Sequence, residues 1–532
     1  GLSGMGKSFL ARKICHWYRL RGSFPGGIVW IDLQTGGSYE SVLERIGSAF
    51  DISKEFIMGR LGSMQTLLVL DSYERVKDDQ KLAEFLGGLP EGSRAILTSI
   101  KRVDFGERIR LGEMELEDAV EYFYRRAKKA GWDGETGKEH IPKICEKLGW
   151  MPLCIELVAP KAGRFPIESL SKMVEETLKT IAEERKDLPE RMWSIETALE
   201  VSYNSLKPME KWLLAVMSVF HGGVFHEILC EIAELSESDT LSNFGILHDN
   251  GLVDFDGRRF RLHLMVRRFA LERLEKDFRE REKYEERFAK AFLGLAYWGQ
   301  RALEKEEEPR TAVNMALLEL PNLLRAQEWF FEKKRLDECL TLSIALDVLF
   351  HRAGLWQSRI RTAHIVVKAA EQKGDKQTLS AVLNNLGVAY IVVGDTDIAL
   401  DCCKRALKTA KEIGYKEGMA NALCNMGIVL GETGKPEEAL KRLQNSLKIH
   451  EENGNKLGMA NALGNIGIVL RYMDQPEEAL EYHQKALKID EEIGNKHGMA
   501  NQLGNIGIVL RHMDQPEEAL KQYQKALKIH EE

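Results

Sequence analysis

From Leu379 onward the chain repeats with a period of 40 residues, and residues 461–492 and 501–532 agree at 26 of 32 positions. Agreement that close is not accidental, and it restricts the architecture to stacked units that share a continuous core. Each unit carries a glycine (Gly387, Gly427, Gly467, Gly507) and, twelve residues later, an alanine (Ala399, Ala439, Ala479, Ala519). Small residues at both places let two antiparallel helices approach closely. Pro436, Pro476 and Pro516 open the second helix, where a missing N–H costs nothing. Asn385, Asn425, Asn465 and Asn505 share one equivalent position, and Asn421, Asn461 and Asn501 lie four residues before the last three. That spacing puts them on one face of the first helix, which lines the inner groove of a solenoid. Asparagine both donates and accepts, so the row suits the backbone of an extended protein or peptide ligand. An inter-repeat hydrogen-bond ladder is the other reading. The last copy stops eight residues short of a period, so further repeat sequence is expected beyond Glu532.

At the other end stands Gly1-Leu2-Ser3-Gly4-Met5-Gly6-Lys7-Ser8, the spacing G-x-x-x-x-G-K-S of a phosphate-binding P-loop. Glycines Gly1, Gly4 and Gly6 let successive backbone N–H groups point at phosphate oxygens. Lys7 then reaches the β- and γ-phosphates of ADP or ATP, and the Ser8 hydroxyl ligates Mg²⁺. Phe9 begins the helix behind the loop, where Leu10, Ile14, Trp17 and Tyr18 recur at helical spacing. A P-loop follows a buried strand, yet nothing precedes Gly1, so a first strand is expected outside this sequence.

Residues 27–33, 67–71 and 94–99 read as buried strands between helical stretches, with 108–111 a short fourth, which predicts a parallel sheet. Asp71 ends the second run, where ligands bind in such sheets, and is the expected Mg²⁺ partner of Ser8. Glu74 stands close enough to orient a water, or is a solvated turn residue. Helices from 196 to 250 are followed by residues 252–262, which alternate about an Asp256-Gly257 turn. Together they form a winged-helix pattern. The stretch 238–250 holds no Lys or Arg, so a nucleic-acid partner is not favoured for it.

The 532 residues suggest about three to four domains. We expect a nucleotide-binding domain over 1–165, a helical and winged-helix domain over 166–275, a helical linker over 276–375 and the repeats over 376–532. With 75 basic and 82 acidic side chains the net charge is −7, which argues against a chain-wide nucleic-acid surface. No apolar run approaches a membrane span. The eight cysteines are scattered without a C-x-x-C pair, which fits reduced thiols in a cytoplasmic protein.

The P-loop, the runs 24–33, 67–74 and 93–99, and Leu148-Gly149-Trp150-Met151-Pro152-Leu153 resemble the signal-transduction ATPases with numerous domains (STAND proteins) of the NB-ARC type. The repeats resemble tetratricopeptide repeats. The resemblance implies a multidomain chain: an α/β P-loop domain, a winged helix and an all-α solenoid. It implies that Pro152 and Leu153 lie near the adenine, Pro152 also being an ordinary helix opener. It further implies that His263, in Leu262-His263-Leu264-Met265-Val266-Arg267, approaches the β-phosphate of ADP, although a structural histidine is the alternative. Glu319 to Trp329 resembles the E-x-x-N-L-R-A-A-L-E-W segment of members with helical sensor arms. The implied function is a slow ATPase acting as a nucleotide-dependent switch that opens and homo-oligomerises when the repeats bind a ligand. An ATP-dependent transcriptional regulator is the alternative. Two residues depart from the family: Ser72 replaces a second acid, and Ile100 replaces a sensor arginine whose place Lys101 or Arg102 would take after a shift. Both departures weaken the case for hydrolysis, not for binding.

Overall fold

The computed structural model describes residues 5–33, 38–50, 52–76, 80–186, 188–255, 257–305 and 307–531. Gly1 and Gly4 lie outside them. The chain divides into two compact units, Gly1–Trp329 with Arg352–Leu355, and Phe330–His351 with Trp356–Glu532.

In the first unit, α1 (Lys7–Arg21) precedes three parallel strands, β1 (Ile28–Asp32), β2 (Leu67–Asp71) and β3 (Arg94–Leu97), hydrogen-bonded in the order β1-β2-β3. The central strand β2 is buried at every residue, which is why it reads as an uninterrupted apolar run. Alternation assigns its two faces. Leu68 and Leu70 join a core with α2 (Tyr39–Phe50), α3 (Ile57–Ser63) and α4 (Gln80–Gly87), whereas Leu67 and Val69 pack on Ala11 and Cys15 of α1. No strand forms over 108–111. Ile109 is 78% exposed between exposed arginines, so that stretch has no apolar face to bury and stays a loop.

Helices α5 (Leu116–Lys129), α6 (Ile141–Lys147), α7 (Pro152–Val158), α8 (Ile167–Glu184) and α9 (Glu190–Asn204) follow. Then come α10 (Pro208–Met217), α11 (His226–Ala233), α12 (Glu237–Asp249) and a hairpin of β4 (Asp254–Phe255) and β5 (Phe260–Arg261). The hairpin is only two residues deep, and Phe260 extends it by pairing with Val224. Its apolar side is a stack: the Phe260 ring lies 3.8 Å from that of Phe244 and 4.7 Å from that of Phe255. Helices α13 (Leu264–Lys276), α14 (Arg281–Glu304) and α15 (Pro309–Glu332) complete the unit, whose boundary falls within α15.

The second unit takes in α16 (Leu336–Arg352), α17 (Trp356–Lys373) and four helical hairpins: α18 (Lys376–Val393) with α19 (Thr396–Glu412), α20 (Lys416–Glu432) with α21 (Pro436–Glu452), α22 (Lys456–Tyr472) with α23 (Pro476–Ile493), and α24 (Lys496–His512) with α25 (Pro516–Glu531). The repeated glycines lie where helices touch. A Cβ on Gly467 would stand 2.7 Å from His483 Nε2, and one on Gly427 would stand 2.6 Å from Leu443. The four alanines are buried beside them. Among the described residues no helix is long and apolar enough to cross a membrane, and all eight cysteines are free thiols.

Candidate functional site

The carboxyl ends of β2 and β3 and the start of α1 meet at Asp71. Its side chain is only 2% exposed. Ser8 Oγ donates to Asp71 Oδ1 at 2.6 Å, and the Thr98 hydroxyl donates to the same oxygen. Oδ2 accepts no donor among the described residues, so the carboxylate keeps an unused ligating oxygen. Thr98 is placed by register. Leu70 pairs with Leu97, so the residue after β3 stands beside the last residue of β2. Its hydroxyl also accepts from the Ser72 N–H at 3.0 Å, in a turn where Ser72 takes a left-handed φ of 66°. Sequence reasoning did not select Thr98 as a site residue, because only strand pairing marks it.

Lys7 opens α1 behind Gly6, whose φ of 78° suits glycine. Burial lowers the Lys7 pKa, and the nearby carboxylates of Glu74 and Asp71 oppose that shift. Glu74 is engaged in the loop: its Oε2 accepts from the Ile100 N–H at 3.0 Å. Phe9 is 61% exposed, with Lys13 Nζ 5.3 Å over its ring. Pro152 is the first residue of α7, and both Pro152 and Leu153 are half-buried. Arg102 pairs with Asp104 on the surface, both well exposed, and so takes no part in this cluster.

His263 lies not in the hairpin but at the N-cap of α13. Its Nδ1 accepts from the Met265 N–H at 3.3 Å, which leaves the proton of the neutral ring on Nε2. Burial lowers its pKa, Asp254 opposes, Lys7 and Arg12 lower it further, and Asp71 opposes. The ring is therefore within electrostatic reach of the α1 lysine and the β2 aspartate, which lie more than 190 residues away in the chain.

In the second unit all seven asparagines, Asn385 through Asn505, line one cavity of about 600 Å³. Asn385 donates to Asp347, Asn465 to Cys424 Sγ at 3.3 Å, and Asn501 meets His497. Among the described residues no asparagine of the row bonds another, although Asn385 and Asn465 each reach a side chain of the preceding helix pair. Asn384, beside the row, also bonds the next unit through the Gly418 carbonyl, whereas Ser446 to the Ala420 carbonyl closes a single hairpin. The amides of Asn421, Asn425, Asn461 and Asn505 line the cavity without a partner among the described residues.

A Tetratricopeptide repeat family model matches residues 378–452 and 458–532. A curated relative, Regulatory protein AfsR of Streptomyces coelicolor, is 24% identical over 300 residues, which is 52% of this chain and 29% of that protein. The chain thus spans less than a third of the relative's length. Among solved structures, a STAND protein with a tetratricopeptide repeat sensor from Pyrococcus horikoshii aligns over 99% of this chain and 80% of its own, at 17% identity and a TM-score of 0.48. BtubC from P. vanneervenii aligns over 39% of this chain and 91% of its own, at 18% identity and a TM-score of 0.34. The chain is similar to STAND proteins that carry a tetratricopeptide-repeat sensor. Its last third has the repeat itself.

Proposed function

We propose that this chain is a nucleotide-dependent signalling switch, with ADP or ATP held at the start of α1 and a protein or peptide ligand held in the groove of the repeats. The carrying observation is the convergence of Lys7, Ser8, Asp71 and Thr98 at one strand end, with His263 in electrostatic reach of Lys7 and Asp71. A P-loop domain assembles such groups around phosphates, and a neutral His263 imidazole would add a donor to them. Ser8 and Asp71 fit Mg²⁺, since both offer oxygen and Asp71 Oδ2 has no competing donor. A bound Mg²⁺ would neutralise phosphate charge there. Pro152 and Leu153 are assigned to the base, and Glu74 to fixing the 98–100 loop rather than activating water. Opening and homo-oligomerisation follow only if ligand and ATP bind the open form more tightly than the closed one.

A duplex-binding role is disfavoured by the arginines around the hairpin. Arg259 and Arg267 are committed to buried internal partners, and α12 offers no Lys or Arg. The sequence similarity to AfsR, named a regulatory protein, fits the switch without requiring DNA contact by this region. The test is to purify the full chain, denature it and identify the released nucleotide by chromatography. Stoichiometric ADP supports a resting switch. No nucleotide, with rapid turnover of added ATP, would replace the switch by an ordinary ATPase.

A further inference from the structure

Four residues of α15, Glu319, Asn322, Arg325 and Trp329, follow one another at helical spacing on a single face. They belong to the segment that the nucleotide site leaves unexplained. Glu319 is fully buried and pairs with Arg259 of the hairpin, Nη2 to Oε1 at 2.8 Å. Arg259 Nη1 donates to the Leu318 carbonyl at 2.9 Å, and Nη2 also donates to the Gly223 carbonyl at 2.8 Å. Asn322 closes the arrangement. Its Nδ2 donates to Glu319 at 2.6 Å and to the Gly223 carbonyl at 2.9 Å, while its Oδ1 accepts from the His221 N–H at 2.7 Å. Pro321 fits beside them because Gly222 has no side chain; a Cβ there would lie 3.0 Å from the proline ring. The turn 221–223 is thus gripped by α15 and by the hairpin together.

The same turn is gripped a second time. Arg267, on the first turn of α13, donates from Nε to the Phe220 carbonyl at 2.7 Å and from Nη2 to His221 Nε2 at 2.8 Å. His263 is midway between these anchors, four residues after Arg259 and four before Arg267. Between Arg259 and His263 the chain has little freedom, since Phe260 pairs with Val224 in both directions and stacks on Phe244.

We infer that Arg259 is a positioning residue for His263, and that Glu319 and Asn322 of α15 are the other half of a latch that sets how firmly His263 is held against the phosphate site. This rests on the proposed nucleotide reading and deepens it. It gives α15, through which the chain continues into the repeats, a defined route to nucleotide retention. Movement of α15 would release Arg259 and leave the short segment bearing His263 anchored on one side only.

The experiment is a double-mutant cycle in the full chain loaded with a fluorescent ADP analogue, reading its release rate. Glu319→Gln keeps the shape and the bond to Asn322 but removes the charge that holds Arg259. It is the variant expected to fold. Arg259→Met is the second. Each is expected to speed release about fivefold or more, the lower range of ordinary coupling between sites. Neither should add to the effect of His263→Ala, because both act through that side chain. Release at the wild-type rate in both variants, or effects that multiply with His263→Ala, would overturn the latch while leaving the switch intact. If His263→Ala itself releases at the wild-type rate, the nucleotide role of His263 falls and the latch falls with it. A chain that retains no analogue at all refutes the underlying nucleotide reading.

Discussion

The two units place their polar groups in opposite ways. In the first, Ser8 and Asp71 lie within α1 and β2 while Thr98 and His263 stand just after β3 and just before α13, and each occurs once. In the second, one asparagine position is written four times, and its copies face a single cavity. A site assembled from single residues depends on every strand register and cap that brings them together. A repeated surface depends only on each unit stacking like its neighbour. Damage should therefore be local and severe in the first case, and in the second spread over the array or confined to ligand binding.

The sharpest break is Lys7→Ala, which removes the main positive charge from the proposed phosphate site. ADP affinity should fall on the order of 100-fold, the scale of losing a charge-assisted contact, by calorimetric titration, with the repeats still folded. Retained affinity would end the P-loop assignment. Acid probes the first unit next. Burial, then Arg267 and Arg325, lower the His221 pKa to about 3, so the folded chain holds that ring neutral. A base with a depressed folded pKa stabilises above its unfolded pKa and loses that contribution as pH falls toward the folded value. Unfolding free energy should decline by up to about 1.4 kcal/mol per pH unit below pH ~6.5, and His221→Gln should flatten the slope in urea melts.

Gly467→Val tests the other side of the comparison. Its Cβ would meet His483, costing about 1–3 kcal/mol of repeat stability in denaturant melts while ADP affinity stays unchanged. Thr98→Val is smaller and lies in the site. Losing one hydroxyl from Asp71 should cost about 1 kcal/mol of nucleotide binding, and an unchanged affinity in Mg²⁺ would remove Thr98 from the site. The smallest effect is expected from Asn425→Ala with Asn465→Ala. Stability should move by about 0.5 kcal/mol or less, because Asn425 has no protein partner among the described residues and Asn465 reaches the preceding unit only through the weak acceptor Cys424 Sγ; a large loss would return the asparagines to a stacking role.

What could be read from sequence follows the same division. The hairpin repeats, the alanine and glycine contacts and the asparagine face were legible because each position is confirmed by its copies. The buried strands were legible because β2 has no polar residue before Asp71. Thr98 was not, since nothing local distinguishes it from Ser99; pairing of Leu70 with Leu97 does. The stretch 108–111 alternates like a strand, but Arg108 and Arg110 flank an isoleucine with no layer to cover it. The place of His263 at the start of α13 turns on one cap bond, which a pattern of residues does not display.

The buried pair His483 and Gln502 bears on how long such an array can be. Its two side chains, 3.0 Å apart, belong to successive units, and one unit earlier the equivalent positions hold Leu443 and Ala462. Excising residues 456–495 would leave Gly427 with Leu443 and Gly507 with Tyr523, yet it would set Gln502 opposite Leu443 in place of His483 and take away that partner of its buried amide. Duplicating the same 40 residues would set His483 opposite alanine, with a similar cost of about 1–3 kcal/mol. Units nearly identical in sequence are thus not interchangeable in order, and copy number at this junction is constrained by the partner Gln502 takes from the unit before it.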